Sequence, residues 1–210
     1  LIPKFVPQSQ FGMGIQDLGY YIPINDSLHT TFRVNLYSRG SWGISNGTEY
    51  MIKYKYQGSL DIGFQQFKAP FPSALKNNKV SLTWVHRQDP KANPLWNFSS
   101  NVNFISDNES KNNLDPLNKN YFTNSFNSDI NLLRYFPGKP VSMGLKTSIR
   151  QNSQTHNFTV TAPVFTANVT RFFPLKTLRR NPVGKTRWYE QIGMTYNLEA
   201  QNSATFHDSL

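Results

Sequence analysis

Cysteine is missing from the 210 residues altogether. This removes disulfide frameworks and thiolate metal sites and leaves the redox compartment open. Also missing is any run near the roughly 18 apolar residues that a membrane-spanning helix requires. A membrane barrel stays possible, because its strands show only alternating hydrophobicity. Acidic residues are scarce, 12 against 22 Lys and Arg, for a net charge of +10. A surface of that sign attracts polyanions of any kind, whether nucleic acid, anionic lipid or phosphorylated saccharide. Catalytic signatures are lacking too. His29, His86, His156 and His207 are scattered without His-x-x-x-His ligand spacing. Gly12-Met13-Gly14 lacks the third glycine of a dinucleotide fingerprint, and no Gly-x-Ser-x-Gly elbow occurs. The chain is expected to be no enzyme and to hold no metal or cofactor.

What is present is aromatic content. Hydrophobic residues make up 38% and mean hydropathy is −0.53, yet aromatics reach 14%, which a disordered chain does not show. Period-two alternation recurs throughout, as half-exposed strands require. Leu28, Thr30, Phe32, Val34 and Leu36 share one face against His29, Thr31, Arg33 and Asn35. Tyr56, Gly58, Leu60, Ile62 and Phe64 stand against Gln57, Ser59, Asp61 and Gln65, and Trp96 to Phe104, Val141 to Ile149 and Ile192 to Leu198 repeat the pattern. About ten strands are predicted: 11–24, 28–38, 43–53, 56–66, 79–88, 95–105, 125–135, 141–150, 157–166 and 188–200. A strand of about ten residues, at a rise near 3.3 Å and a tilt near 40°, spans about 25 Å, the height of an outer-membrane apolar band.

The joints alternate between short, turn-rich ones (25–27, 53–55, 88–94, 136–140) and longer polar ones (68–78, 106–124), as barrels with short inner turns and long outer loops do. Two joints fit that scheme poorly: 39–42 is short and 167–187 is long. Aromatics gather near strand ends, as in the girdles of a barrel, although aromatics favour strands in soluble sheets as well. The fold expected is all-β, an antiparallel transmembrane β-barrel segment, with a soluble carbohydrate-binding β-sandwich as the alternative. Residues 1–10 are expected to be a lead-in from a periplasmic domain and 11–210 the first part of the barrel of a longer, exported protein.

Gly19-Tyr20-Tyr21-Ile22-Pro23-Ile24-Asn25-Asp26, then Leu36 to Gly43, then Tyr54-Lys55-Tyr56-Gln57-Gly58, resemble the start of the barrel of the LptD family, in a divergent branch. His86-Arg87-Gln88-Asp89-Pro90-Lys91-Ala92-Asn93-Pro94 and Val183 to Glu190 are similar to turns of the same branch. The resemblance covers nearly the whole chain, and order and spacing carry it. It implies a bacterial outer-membrane location and a barrel of some two dozen strands, of which this chain holds fewer than half. It also implies delivery of lipopolysaccharide to the outer leaflet, a plug lipoprotein of the LptE kind and a periplasmic bridge protein of the LptA kind. The cysteines that tie barrel to jellyroll in better-known members have no counterpart here. A porin or nutrient-transporter fragment is the alternative among barrels.

Candidate site residues follow from these readings. Pro23 cannot donate to a ladder; it either begins the turn at Asn25-Asp26 or, as the family implies, weakens pairing at a lateral gate. Arg33, Asp61, Asp129, Lys146 and Arg150 are expected to face the lumen, where Lys146 or Arg150 suits a phosphate. Lys176, Arg179, Arg180, Lys185 and Arg187 form a basic stretch suited to anionic headgroups or a periplasmic partner. Nucleic acid is not expected, since neither a groove reader nor a stacking platform is evident. Arginine is expected to be costly at Val34 and cheap at Asn35.

Overall fold

The computed structural model describes residues 2–8, 11–68, 76–106, 125–152, 155, 157–176 and 188–207. Eleven strands follow one another: β1 (Lys4–Gln8), β2 (Gly12–Asn25), β3 (Leu28–Tyr37), β4 (Trp42–Ile52), β5 (Tyr56–Lys68), β6 (Lys76–Gln88), β7 (Trp96–Ile105), β8 (Ser125–Tyr135), β9 (Val141–Asn152), β10 (Asn157–Phe172) and β11 (Met194–His207). Each pairs antiparallel with its sequence neighbour, so the spatial order is the chain order without a crossover. β1 and β11 do not meet, and the sheet is open among the described residues. No second sheet or α-helix packs on it there; the only helices are 3-10 turns at Pro174–Lys176 and Trp188–Gln191. The all-β expectation holds. The single layer is that of a barrel wall and not of a sandwich, which needs two packed sheets.

Local chemistry sets the turns. Ser27 donates its backbone N–H to Asn25 Oδ1 at 2.8 Å, an Asx turn that closes β2 onto β3. Gly40 and Gly138 have φ of 87° and 74°, a region L side chains avoid, and each sits in a tight reversal. Between β6 and β7 the Gln88 side chain takes over the ladder: its Nε2 donates to Trp96 O at 3.0 Å and its Oε1 accepts from Phe98 N at 2.9 Å. One small core exists at the rim opposite the Ser27 and Gly138 turns, beside the Gly40 reversal. Phe11, Tyr37 and Phe67 are buried together, with ring centroids 5.8 Å apart from Phe11 to each partner. The Tyr37 ring lies over Gly14, its cross-strand partner, where any side chain would collide.

The structure departs from the sequence reading in several places. β1 lies within the expected lead-in and pairs Lys4–Gln8 with Gly12–Gln16, so β2, the strand that carries the lateral-gate candidate Pro23, is covered on that half and open only over residues 17–25. β2 carries a bulge between Ile15 and Leu18. There Asp17 takes φ 56° and its N–H donates to Asn35 Oδ1 at 2.9 Å. Asn35 thus holds the bulge, and arginine at that position removes the bond, contrary to the expectation that it costs little. Ladder bonds from neighbours carry β5 to Lys68, β6 back to Lys76 and β10 on to Phe172, shortening the joints expected at 68–78 and 167–187. The last strand begins at Met194 and not at 188, because Trp188–Gln191 coils into a 3-10 turn. Of the expected outer loop, 107–124 lies outside the described residues.

Candidate functional site

Side chains of directly paired residues in an antiparallel sheet point to one side, so the register sorts the sheet into two faces. One row runs Leu18–Val34–Ile44–Phe64–Val80 across β2 to β6, and another runs Asn46–Ile62–Leu82–Phe104. The same face continues through Phe98–Leu132–Leu145–Phe165 and Val141–Val169–Tyr196 to β11. Among the described residues nothing covers it: Tyr20 is 72%, Leu145 47% and Tyr196 56% exposed. A patch many strands wide is far beyond what a soluble monomer leaves bare, and hydrocarbon is the solvent that suits it. The polar side chains around Asn46 satisfy one another. Asn46 Nδ2 donates to Thr30 Oγ1 at 2.7 Å, Thr48 Oγ1 donates to Asn46 Oδ1 at 3.1 Å, and the two threonine hydroxyls lie 3.0 Å apart. That pairing is what a water-free environment demands.

Toward the rim of short turns this face becomes aromatic. Tyr50, Tyr56, Trp84, His86 and Phe98 meet across β4 to β7, mostly as tilted ring pairs, with centroids 5.3–6.3 Å apart. Trp84 Nε1 donates to Tyr50 Oη at 3.1 Å, and since the oxygen accepts there, its hydrogen is free for His86 Nδ1 at 2.8 Å. Rings with one polar tip occupy the headgroup level of a bilayer. Further along the same rim Arg134 lies over both Trp96 and Phe136, at 4.7 and 4.8 Å.

The opposite face is polar, and it brings the five predicted lumen residues together. Arg33 shares a row with Ser45 and Gly63, and Asp61 a row with Gly47, Thr83 and Asn103. Asp129 stands opposite Asn101 and Ser148, with Lys146 and Arg150 flanking Ser148 on the same side. Lys146 Nζ reaches Asp129 Oδ1 at 3.1 Å and, near the short-turn rim, His29 Nε2 reaches Glu49 Oε2 at 3.2 Å. Arg150 stands across from Asn127 and Thr159. Pro23 is exposed on β2, opposite His29 and beside a ladder irregularity, on the half that β1 leaves open. Lys176 ends the 3-10 turn at Pro174–Lys176, whereas Arg179, Arg180, Lys185 and Arg187 lie outside the described residues. Among the described residues no group of His, Asp and Glu is arranged to hold a metal ion.

Sequence reasoning missed the Tyr50–Trp84–His86 contact and the setting of Arg134. Parity alone places all four on the apolar side, but the contacts depend on how β4, β6, β7 and β8 align. Against known proteins, the family model described as LptD protein matches residues 1–210, the whole chain. No curated protein matches it.

Proposed function

Because the chain belongs to the LptD protein family, we propose that it is the first part of an outer-membrane barrel that passes lipopolysaccharide to the outer leaflet without catalysing a reaction. The family supplies the role in lipopolysaccharide transport at the outer membrane. The observation that carries the reading is the single-layered sheet with one continuous bare apolar face and one polar face, which suits hydrocarbon outside and a watery or plugged interior inside. A plug lipoprotein of the LptE kind and a bridge protein of the LptA kind are its proposed partners.

On the polar face Arg150 is the better candidate for a lipopolysaccharide phosphate, since Lys146 is engaged by Asp129. The test is depletion of the full-length protein in cells: lipopolysaccharide should stop reaching the surface, as read by surface labelling, and the native gene should restore it. Normal surface arrival after depletion would sink the reading.

Pro23 is proposed to keep the uncovered half of β2 weakly bonded. Prolines 3 and 7 at β1 add to the same edge, and a ladder position without a donor forgoes roughly 1 kcal/mol. Pro23→Ala is expected to slow surface arrival while leaving barrel content unchanged, and an unchanged rate removes the role. Topology has its own check: an amine label applied to intact cells should modify Lys111 or Lys119 and spare Lys139 in the 136–140 turn. The reverse pattern would invert the barrel.

A further inference from the structure

We propose that the rim of short turns holds an anionic phospholipid headgroup, with Arg134 as the residue that binds its phosphate. The proposal rests on the membrane reading above and goes beyond it by naming a lipid class and a site.

Arg134 belongs to the apolar face: it pairs with Trp96 and Met143, one row beyond the Phe98–Leu132–Leu145 row. Its guanidinium lies over the Trp96 ring at 4.7 Å and the Phe136 ring at 4.8 Å. The backbone that carries each ring is fixed by hydrogen bonds outside the contact. The Trp96 carbonyl accepts from Gln88 Nε2 at 3.0 Å and its backbone N–H donates to Asn93 Oδ1 at 3.3 Å, while the Phe136 backbone N–H donates to Val141 O at 3.3 Å. A guanidinium whose faces are occupied by rings keeps its N–H edges free, and this planar fork matches a phosphate bidentately. Fixing the side chain in advance lowers the entropy lost on binding. Arg134 is exposed, and no carboxylate reaches it among the described residues.

Other charges on this rim point the same way. Lys53 lies over the Tyr54 ring at 5.1 Å and Arg171 over Phe173 at 5.2 Å, each a cation set on an aromatic at the same end of the strands. The nearby acid Asp89 accepts the Lys91 N–H at 2.8 Å within its own turn. Among the described residues no carboxylate pairs with these cations, and cations so placed at the edge of an apolar band meet the phosphates of that leaflet. Its short turns place the rim at the phospholipid side and not at the lipopolysaccharide side.

The experiment uses the full-length protein in nanodiscs of phosphatidylethanolamine with graded phosphatidylglycerol, and native mass spectrometry counts the lipids retained. Wild type should retain phosphatidylglycerol preferentially. Arg134→Gln should weaken that retention about fivefold, the worth of one surface cation near anionic lipid. Arg134→Lys, a point charge without the fork, should fall between the two and serves if the glutamine variant folds poorly. Lys68→Gln, at the opposite rim, should change nothing. The proposal is overturned if Arg134→Gln retains phosphatidylglycerol like wild type, if Lys68→Gln lowers retention equally, or if purified lipopolysaccharide takes the Arg134-dependent place. A protein that folds without lipid and never inserts overturns the membrane reading itself, whereas insertion with Arg134-independent retention overturns this site alone.

Discussion

Arginine at Leu82 is expected to destabilise the folded protein in a bilayer by about 2–4 kcal/mol, whereas arginine at the adjacent Thr83 should cost little. Leu82 is the middle residue of β6 and stands between Ile62 and Phe104 on the bare apolar face. A guanidinium there lies at mid-strand depth, flanked on both neighbouring strands by apolar side chains. Thr83 points the other way, between Asp61 and Asn103, where a new cation meets a carboxylate and water. Urea unfolding of protein refolded into phospholipid vesicles reads the difference. In a water-soluble protein the apolar face would be solvated and both variants would be mild, so equal small costs would end the barrel interpretation.

Gly58→Ala is expected to destabilise by about 1–3 kcal/mol, the usual cost of forcing a methyl group into filled space. Gly58 sits between Tyr50 on β4 and His86 on β6, and a β-carbon there meets the Tyr50 hydroxyl and the Val85 backbone carbonyl. The carbonyl cannot swing aside without breaking the β5–β6 ladder, and displacing Tyr50 breaks its contacts to Trp84 and His86. Gly47→Ala provides the comparison. Its β-carbon would meet only the Asp61 carboxyl group, with Oδ1 at 2.8 Å, the far end of a side chain and not backbone. Unfolding midpoints should separate the two variants, and near-ultraviolet circular dichroism should show Trp84 perturbed in Gly58→Ala alone. Equal costs would mean that the belt is not packed as described.

Much of this was legible in the residues. The runs through Arg33, Asp61 and Lys146 each announced their faces, and the register brings Arg33, Asp61, Asp129, Lys146 and Arg150 to one side. Other features were not legible. β1 is only five residues long and holds Pro7, which argues against a strand until β2 supplies a partner. Lys76-Asn77-Asn78 has poor strand propensity and is extended only because Phe67 and its neighbours pair with it. Asn35 reads as an ordinary polar position, and its bond to Asp17 exists because β2 bulges there.

The sequence by itself determined the side of the sheet on which residues of the unbulged strands stand, the absence of membrane-length apolar runs and the family, because side-chain direction along a regular strand is set by local backbone geometry with a period of two. Only the tertiary structure decided where strands end, which edge is covered, and that Tyr50 meets His86 and Arg134 meets Trp96. Those outcomes depend on register between strands, and register is settled by hydrogen-bond ladders and bulges that join residues far apart in the chain.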